Sequence, residues 1–516
     1  MLDGHSLSIE DVINVAKHAK IVTVSSKTLE HIDRVRVFVD KLAQSDAPHY
    51  GINTGFGALA ETKIDRSQLD QLQRNLILSH AVGVGDPLDI VEARAMMLLR
   101  ANTLAKGHSG CRGEVLQYLV KLLNSNCAPY IPCKGSVGAS GDLAPLAHLA
   151  LLLLGEGNAF IGNKQVTSKA ALEHAKLKPL TLKAKEGLAL INGTQAMAAR
   201  GLVNLVDAEK LCDLADMIGA CSLEALHGSI KPFDARIHEV RAHAGQQTSV
   251  NILRLMLQES EINQSHKNCG RVQDAYSLRC MPQVHGATRD ALNYMRRVLE
   301  IEINSATDNP LVFLTENGID IVSGGNFHGQ PLAIALDMLA IAVAELASIS
   351  ERRIEQMLNP ALSSGLPAFL AAHPGINSGM MIMQVTAAAL VNENKILCHP
   401  ASTDSIPTSA NREDHVSMGM TSANKAKIIV DNVYYVLAIE WLAACQGIDF
   451  RAPHKPGLGV QQLKNKLRER VTFAEHDRAF GEDIKQSYDL LRELKRESLF
   501  CHQKPLHKHV LLNNPE

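Results

Sequence analysis

Residues 331–357 read PLAIALDMLAIAVAELASISERRIEQM, the longest apolar run in the chain. Ala, Leu and Ile recur at helical spacing on several sides of this stretch. Its length alone also fits a membrane span. However, Asp337 and Glu345 lie inside the run and Glu351-Arg352-Arg353 follow its most apolar part. Ionisable groups at those depths are expensive in lipid. The stretch therefore predicts a helix buried in a bundle or oligomer core. Similar long helices are predicted over 378–397 and 421–445, and others over 194–226 and 287–303. Gly201 and Gly219 are expected to break or soften the 194–226 helix. Nearer the N-terminus, Ser8 caps a helix through about Ala19, and Asp89 precedes one over 90–106 that ends at Gly107. Two strand-like runs, 311–314 and 319–322, flank Asn317-Gly318 and predict a hairpin. The fold class is mainly α, a long-helix bundle with a loop-rich N-terminal region. The loop-rich part covers about 1–200, and the bundle with its C-terminal helices about 200–516, within one integrated domain over 1–516.

Bulk composition narrows the function. The 516 residues are 46% hydrophobic and 21% charged, as in a well-packed soluble protein. A net charge of −2 argues against nucleic acid or an anionic membrane as the main partner. Met1-Leu-Asp-Gly-His lacks the basic and apolar regions of a signal peptide. Ten cysteines without a Cys-x-x-Cys pair predict free thiols in a reducing compartment, the cytoplasm. Cys501-His502 and His507-Lys508-His509 read as a solvated tail in preference to a metal site.

Residues 134–146, KGSVGASGDLAPL, hold the chemistry-bearing stretch. Its glycine spacing admits a phosphate-cradling loop or plain turn chemistry. A dinucleotide loop needs a preceding strand and a βαβ unit, and none is predicted here. A P-loop needs a terminal Gly-Lys-Ser/Thr, which is absent. A third reading is covalent. Ser140 between Ala139 and Gly141 can cyclise with its own backbone, because glycine leaves the approach to the Ala139 carbonyl carbon open. Loss of two waters would leave a methylidene-imidazolone, an electrophile that no standard side chain supplies. Asp142 is expected to cap a helix over 143–154, ended by Gly155, with Pro145 tolerated in its first turn. The positive end of that helix would favour an anionic adduct.

Further polar clusters interrupt the helical pattern. Tyr50–Gly57 is a Gly-rich loop whose tyrosine reads as packing, a lid residue or a base. Ser79-His80 precedes two glycines, and the histidine reads as structural or catalytic. Asn192-Gly193-Thr194-Gln195 can be a simple helix cap. In Gln273–Cys280, Tyr276 and Arg279 share a helical face, and the arginine is either a carboxylate fork or half of an Arg–Asp pair. Asn304–Pro310 is a helix stop. Gly324–Gly329 is a loop before the longest helix, and Ser409–His415 is either a charged cap or part of a site.

Together with the tripeptide, these motifs resemble the aromatic amino acid ammonia-lyases over nearly the whole length. They are Tyr-Gly-Ile-Asn-Thr-Gly-Phe-Gly, Gly-Ser-Val-Gly-Ala-Ser-Gly-Asp-Leu-Ala-Pro-Leu, Gln-Asp-Ala-Tyr-Ser-Leu-Arg-Cys and Gly-Gly-Asn-Phe-His. Ser79-His80 and Glu413 are similar to the histidine-directed branch of that family. A His and a carboxylate suit an imidazole, and a phenyl ring satisfies neither. Arg412 departs from the pattern, where a glutamine is expected. Its charge is expected to lower the Glu413 pKa or turn that side chain away.

The resemblance implies a lyase with fumarase/aspartase-like helical architecture, converting L-histidine to trans-urocanate and ammonium. It implies a 4-methylidene-imidazol-5-one formed autocatalytically from Ala139-Ser140-Gly141, with no metal and no diffusible cofactor. It assigns Tyr50 as the base for the β-proton and Arg279 as the carboxylate clamp. Asn192 and Tyr276 orient the electrophile and leaving amine, Gln273 and Phe327 line the pocket, and His80 and Glu413 hold the imidazole. It further implies a D2 homotetramer whose sites combine loops from three subunits. Three rivals stand beside it: a tyrosine lyase, an aminomutase that re-adds the amine at Cβ, and an inactive assembly protein on the same scaffold. The intact tripeptide, Tyr50 and Arg279 argue against the last.

Overall fold

The computed structural model describes residues 1–139, 141–267, 270–316 and 318–494. Ser140, Asn317 and the Cys501–His509 tail lie outside the described residues. About 59% of the chain is helical and the strands are short, as a mainly α reading requires. The run that opens at Pro331 forms the helix Gln330–Leu358. The other long helices include Gln195–Ala225, Met281–Glu302, Met381–Leu397 and Gly419–Asp449. The helix expected from residue 287 begins at Met281, because Pro282 falls in its first turn, where a missing N–H costs nothing.

Gly201 and Gly219 do not break their helix, which is continuous. They serve packing instead. A Cβ on Gly201 would stand 2.9 Å from Leu336 Cδ2, and one on Gly219 would stand 2.4 Å from Met281 Sδ. Both glycines let a neighbouring helix approach more closely than alanine permits.

The chain divides into two compact units. The first holds 1–204, 295–337 and 400–426. Its core includes Val35, Val39, Ile52, Leu69 and Val312. Ser8 caps Ile9–His18 by accepting from Asp11 N, and Asp89 with Glu92 closes a capping box on Ile90–Ala105. Its sheets are small and antiparallel. Val84–Pro87 pairs with Pro132–Lys134, and Cys127–Pro129 pairs with Asn158–Ile161. The predicted hairpin is formed by Leu311–Thr315 and Gly318–Val322. Asp337, the charge inside the long apolar run, is held by Lys425 Nζ at 3.0 Å and Ser402 N at 2.7 Å.

Among the described residues, the second unit holds those of 205–294, 338–399 and 427–494. Trp441 and Tyr434 are buried in it. Glu440, also buried, accepts from Arg353 Nη2 at 2.9 Å and from Ser222 Oγ at 2.6 Å. A buried ion pair is tolerable only when its remaining lone pairs are satisfied, and the two-pronged arginine with the added hydroxyl does this. These bonds link the three helices that carry Ser222, Arg353 and Glu440. Gln330–Leu358 and Gly419–Asp449 are long and apolar enough to cross a membrane, but most of each apolar stretch is buried inside the protein.

Glu224, near the end of Gln195–Ala225, is buried and accepts from Gly457 N at 3.0 Å and Asn263 Nδ2 at 3.2 Å. Burial pushes its carboxyl up to about 7, against the hydrogen bonds from Ser260, Gly457 and Asn263. Between the ordinary carboxylate range and pH 7 the folded chain keeps this proton while the unfolded chain releases it. Stability from this group therefore falls as pH rises through that window, by about 3 kcal/mol at ~1.4 kcal/mol per unit. Glu224→Gln is expected to flatten the pH dependence of the urea midpoint between pH 5 and pH 7.5, relative to the parent chain.

Candidate active site

The tripeptide segment sits where two helices begin. Gly141 stands just ahead of Leu143–Leu154, and it pairs with Gly193, two residues ahead of Gln195–Ala225. Asp142 N donates to Gly193 O at 2.6 Å. Asp142 occupies the expected N-cap position, but its carboxyl does not cap its own helix. The third helical residue is Pro145, which has no N–H to offer. The carboxyl instead accepts from Met197 N at 2.9 Å and Ser136 Oγ at 2.8 Å. Asp142 thus caps the other helix. Burial raises it to about 6 despite these bonds.

Gly141 has φ +72° and no room for a side chain. A Cβ there would stand 2.1 Å from Gly193 O. This close backbone approach, at a φ that favours glycine, fits a residue whose nitrogen must fold back on Ala139. The surrounding hydrogen bonds also fit, because Ser136 Oγ and Met197 N hold the Asp142 carboxyl and so anchor the loop beside Gly141.

A cavity of about 550 Å³ lies in the first unit, lined by Tyr50, His80, Asn192 and Glu413. Leu72, Leu76, Leu188 and Ile191 supply its apolar wall. Leu69–His80 delivers the histidine from its last residue. His80 Nδ1 lies 3.0 Å from Ser79 Oγ, which donates to Leu76 O at 3.2 Å. Burial lowers the His80 pKa, favouring the neutral ring. Glu413 is carried by a tight loop in which Ser409, Ala410 and Asn411 all have left-handed backbone. Thr408 N closes that loop by donating to Glu413 O at 3.0 Å. Arg412 does not turn Glu413 out of the cavity.

Tyr50 accepts a long contact from Gly57 N at 3.5 Å. Burial raises its phenol pKa, and the charges of Glu413 and Asp308 raise it further. The resting phenol therefore keeps its proton. Asp308 is itself buried, paired with the equally buried Lys185 Nζ at 3.2 Å.

The remaining expected residues lie elsewhere. Phe327 stands half-buried in the Gly324–Gly329 loop and is not on the cavity wall. Gln273, Tyr276 and Arg279 belong to the second unit. Tyr276 and Arg279 share a short helical turn, Tyr276–Arg279, with the guanidinium 4.6 Å from the ring centre. The Arg–Asp pair weighed for Arg279 is made by Arg271 instead, 3.1 Å from Asp274. Gln273 and Tyr276 are exposed. Among the described lining residues of the first-unit cavity there is a carboxylate but no Lys or Arg. Sequence reasoning missed Lys185, Asp308 as a charge, and Arg100. Arg100 alone carries a sequence signal, a lone cation in the apolar segment 96–101, whereas Lys185 and Asp308 sit in polar segments that do not set them apart.

Comparison with known proteins decides the family. The profile of aromatic amino acid lyases matches residues 7–469. The chain belongs to the aromatic amino acid lyase family. It is 55% identical to a histidine ammonia-lyase of Myxococcus xanthus, over 94% of this chain and 95% of that protein. The crystal structure of histidine ammonia-lyase from Trypanosoma cruzi matches with TM-score 0.88 and 45% identity, covering 97% of this chain and 94% of the other. Tyrosine aminomutase from Streptomyces globisporus matches with TM-score 0.91 but 37% identity, covering 98% of each chain. The backbone is thus shared across members whose names differ in reaction and substrate, and discrimination within the family rests on side chains.

Gly141→Ala is expected to destabilise the chain by roughly 2 kcal/mol or more, since both the left-handed backbone and the Gly193 contact oppose a Cβ. Chemical unfolding of the purified variant measures this. Unchanged stability would show that the two backbones can separate at little cost.

Proposed function

We propose that this chain is a histidine ammonia-lyase, a carbon–nitrogen lyase that eliminates ammonia from L-histidine to give trans-urocanate, as a step in histidine degradation. The observation that carries the reading is the pairing of His80 and Glu413 in one cavity with Tyr50 and Asn192. A neutral imidazole has one donor and one acceptor nitrogen, and a histidine with a carboxylate serves both. A phenyl ring buried against that pair would offer neither group a hydrogen bond. The relatives named above support the same substrate.

Ala139, Ser140 and Gly141 would form the 4-methylidene-imidazol-5-one of this reading, and no metal or diffusible cofactor is invoked. When formed, that group supplies an electron-poor C=C that helps the amine depart. The chain's own residues do the rest. Asn192 lies at the cavity wall and orients the amine. Tyr50 takes the β-proton. Burial and two carboxylates hold its own proton on in the resting site, and the incoming α-ammonium brings positive charge that works in the opposite direction. Arg279 holds the substrate carboxylate with its planar fork, fixing the Cα–Cβ geometry, with Tyr276 beside it. Gln273 and Phe327, which do not line the cavity of their own chain, would complete the pocket from another copy.

This assignment requires a homotetramer with shared sites, built from one lyase domain over 1–516. The first-unit cavity contains no described cation for the substrate carboxylate, whereas Tyr276 and Gln273 stand exposed as residues awaiting a second copy would. Exposed apolar rows support the same assembly. Ile334, Met338 and Ile341 lie along one face of Gln330–Leu358, and Ile382 and Val385 along Met381–Leu397. The reading places the enzyme in the cytoplasm, where its described cysteines stay as free thiols.

Purified protein offered L-histidine, L-tyrosine and L-phenylalanine is expected to release ammonia and a conjugated acid from histidine only. Preference for tyrosine, or a β-amino acid without free ammonia, sinks the assignment. Arg279→Lys is expected to lower kcat/KM about 100-fold, since a point charge cannot replace the fork. Co-expression of Arg279→Met with Tyr50→Phe chains is expected to restore part of the activity that each variant lacks alone. No restoration would remove the shared-site arrangement.

A further inference from the structure

Arg100 is fully buried in Ile90–Ala105, and among the described residues it makes no hydrogen bond to a carboxylate. Its fork is spent on one turn of backbone. Nη1 donates to Ala189 O at 2.8 Å and Asn192 O at 2.9 Å, and Nη2 donates to Asn192 O and Gln195 Oε1, both at 2.9 Å. The two carbonyls belong to the end of Glu186–Ile191, the negative pole of that helix, where a cation is favoured. Gln195 is fixed in turn by donating to Thr103 Oγ1 and Thr307 Oγ1 at 3.1 and 2.8 Å.

The clamped turn is the one that touches the tripeptide segment. A Cβ on Gly193 would stand 2.5 Å from Arg100 Nη2, so the guanidinium packs directly against that backbone. Gly193 O accepts from Asp142 N at 2.6 Å and leaves no space for a Cβ on Gly141. A continuous path of contact runs from Arg100 through Asn192-Gly193 to Gly141-Asp142.

We propose that Arg100 is a positioning residue for formation of the electrophile, holding the Asn192-Gly193 turn as the template against which Gly141 folds back. The proposal rests on the reading of Ala139-Ser140-Gly141 given above. Two condensations are involved. The Gly141 nitrogen bonds to the Ala139 carbonyl carbon, and the Ala139 oxygen leaves as water with the protons of the Gly141 and Ser140 nitrogens. The Ser140 Cβ–Oγ bond then breaks, and the hydroxyl leaves as water with the Ser140 Cα proton. No oxidant is consumed. The first step demands a strained approach of backbone atoms, which a loop released from its template samples rarely.

The same helix supplies a matched control. Arg94 is also buried and also spends its fork on carbonyls, at Val15, Ala16 and Leu123, but none of its bonds reaches residues 189–195. Intact-mass measurement of soluble, folded protein is the test. The parent and Arg94→Met are expected to weigh two waters less than their sequences. Arg100→Met is expected to retain both waters in most chains, and Arg100→Lys, which can make only part of the clamp, to give a mixture. Complete dehydration of Arg100→Met, equal to that of Arg94→Met, overturns the proposal. If Arg100→Met does not fold, complete dehydration of Arg100→Lys overturns it, and partial dehydration supports it. A parent chain at its full sequence mass would instead overturn the reading of the tripeptide beneath it.

Discussion

The site hangs on one backbone contact, that of Gly141-Asp142 against Gly193. It brings together the starts of two helices beside the end of Glu186–Ile191, and the open amides of the first two and the open carbonyls of the third must be satisfied at once. Asp142 resolves half of this by sending its carboxyl to the helix that follows Gly193 in place of the one it begins. Arg100 resolves the other half by taking up the spent carbonyls at Ala189 and Asn192. Each charge is buried, and each is tolerated because it meets unpaired main-chain groups rather than a counter-ion.

Much of the architecture was legible because helix formation in this chain is dominated by long apolar periodicity and orthodox caps. Ser8, Asp89 and Gly155 mark boundaries where local chemistry alone decides the outcome. The misreadings have a common origin. Gly201 and Gly219 look like helix breakers when only propensity is considered, yet their role is set by Leu336 and Met281, which are distant in sequence. Asp142 looks like an ordinary cap until Pro145 is seen to remove one of the two donors such a cap can use, and Met197 N and Ser136 Oγ take its carboxyl instead. Tertiary packing and a missing N–H, respectively, override the local rule.

The candidate site divides in the same way. Tyr50, His80, Asn192 and Glu413 come from separate segments and meet at one cavity, which the motifs alone could propose but not locate. The electrostatics were not readable at all. That Tyr50 is held protonated follows from its burial and from Asp308 and Glu413, and no spacing in the sequence encodes their proximity. Arg100 carried a faint signal, a lone cation within Met96-Met97-Leu98-Leu99 and Ala101, but a buried arginine in an apolar helix has many ordinary uses, as Arg94 illustrates.

The Gly141–Gly193 contact also limits how this sequence can drift. Two backbones that touch without side chains form a coupled pair in which neither partner can compensate for the other. Enlarging one cannot be offset by shrinking its neighbour, because glycine is already the smallest residue. Any evolutionary path that introduces a side chain at either position must first displace the start of a helix. On the proposed reading, variation that retunes the substrate is thereby channelled to the cavity wall, around His80, Leu72 and Glu413, where side chains can be exchanged without moving the main chain.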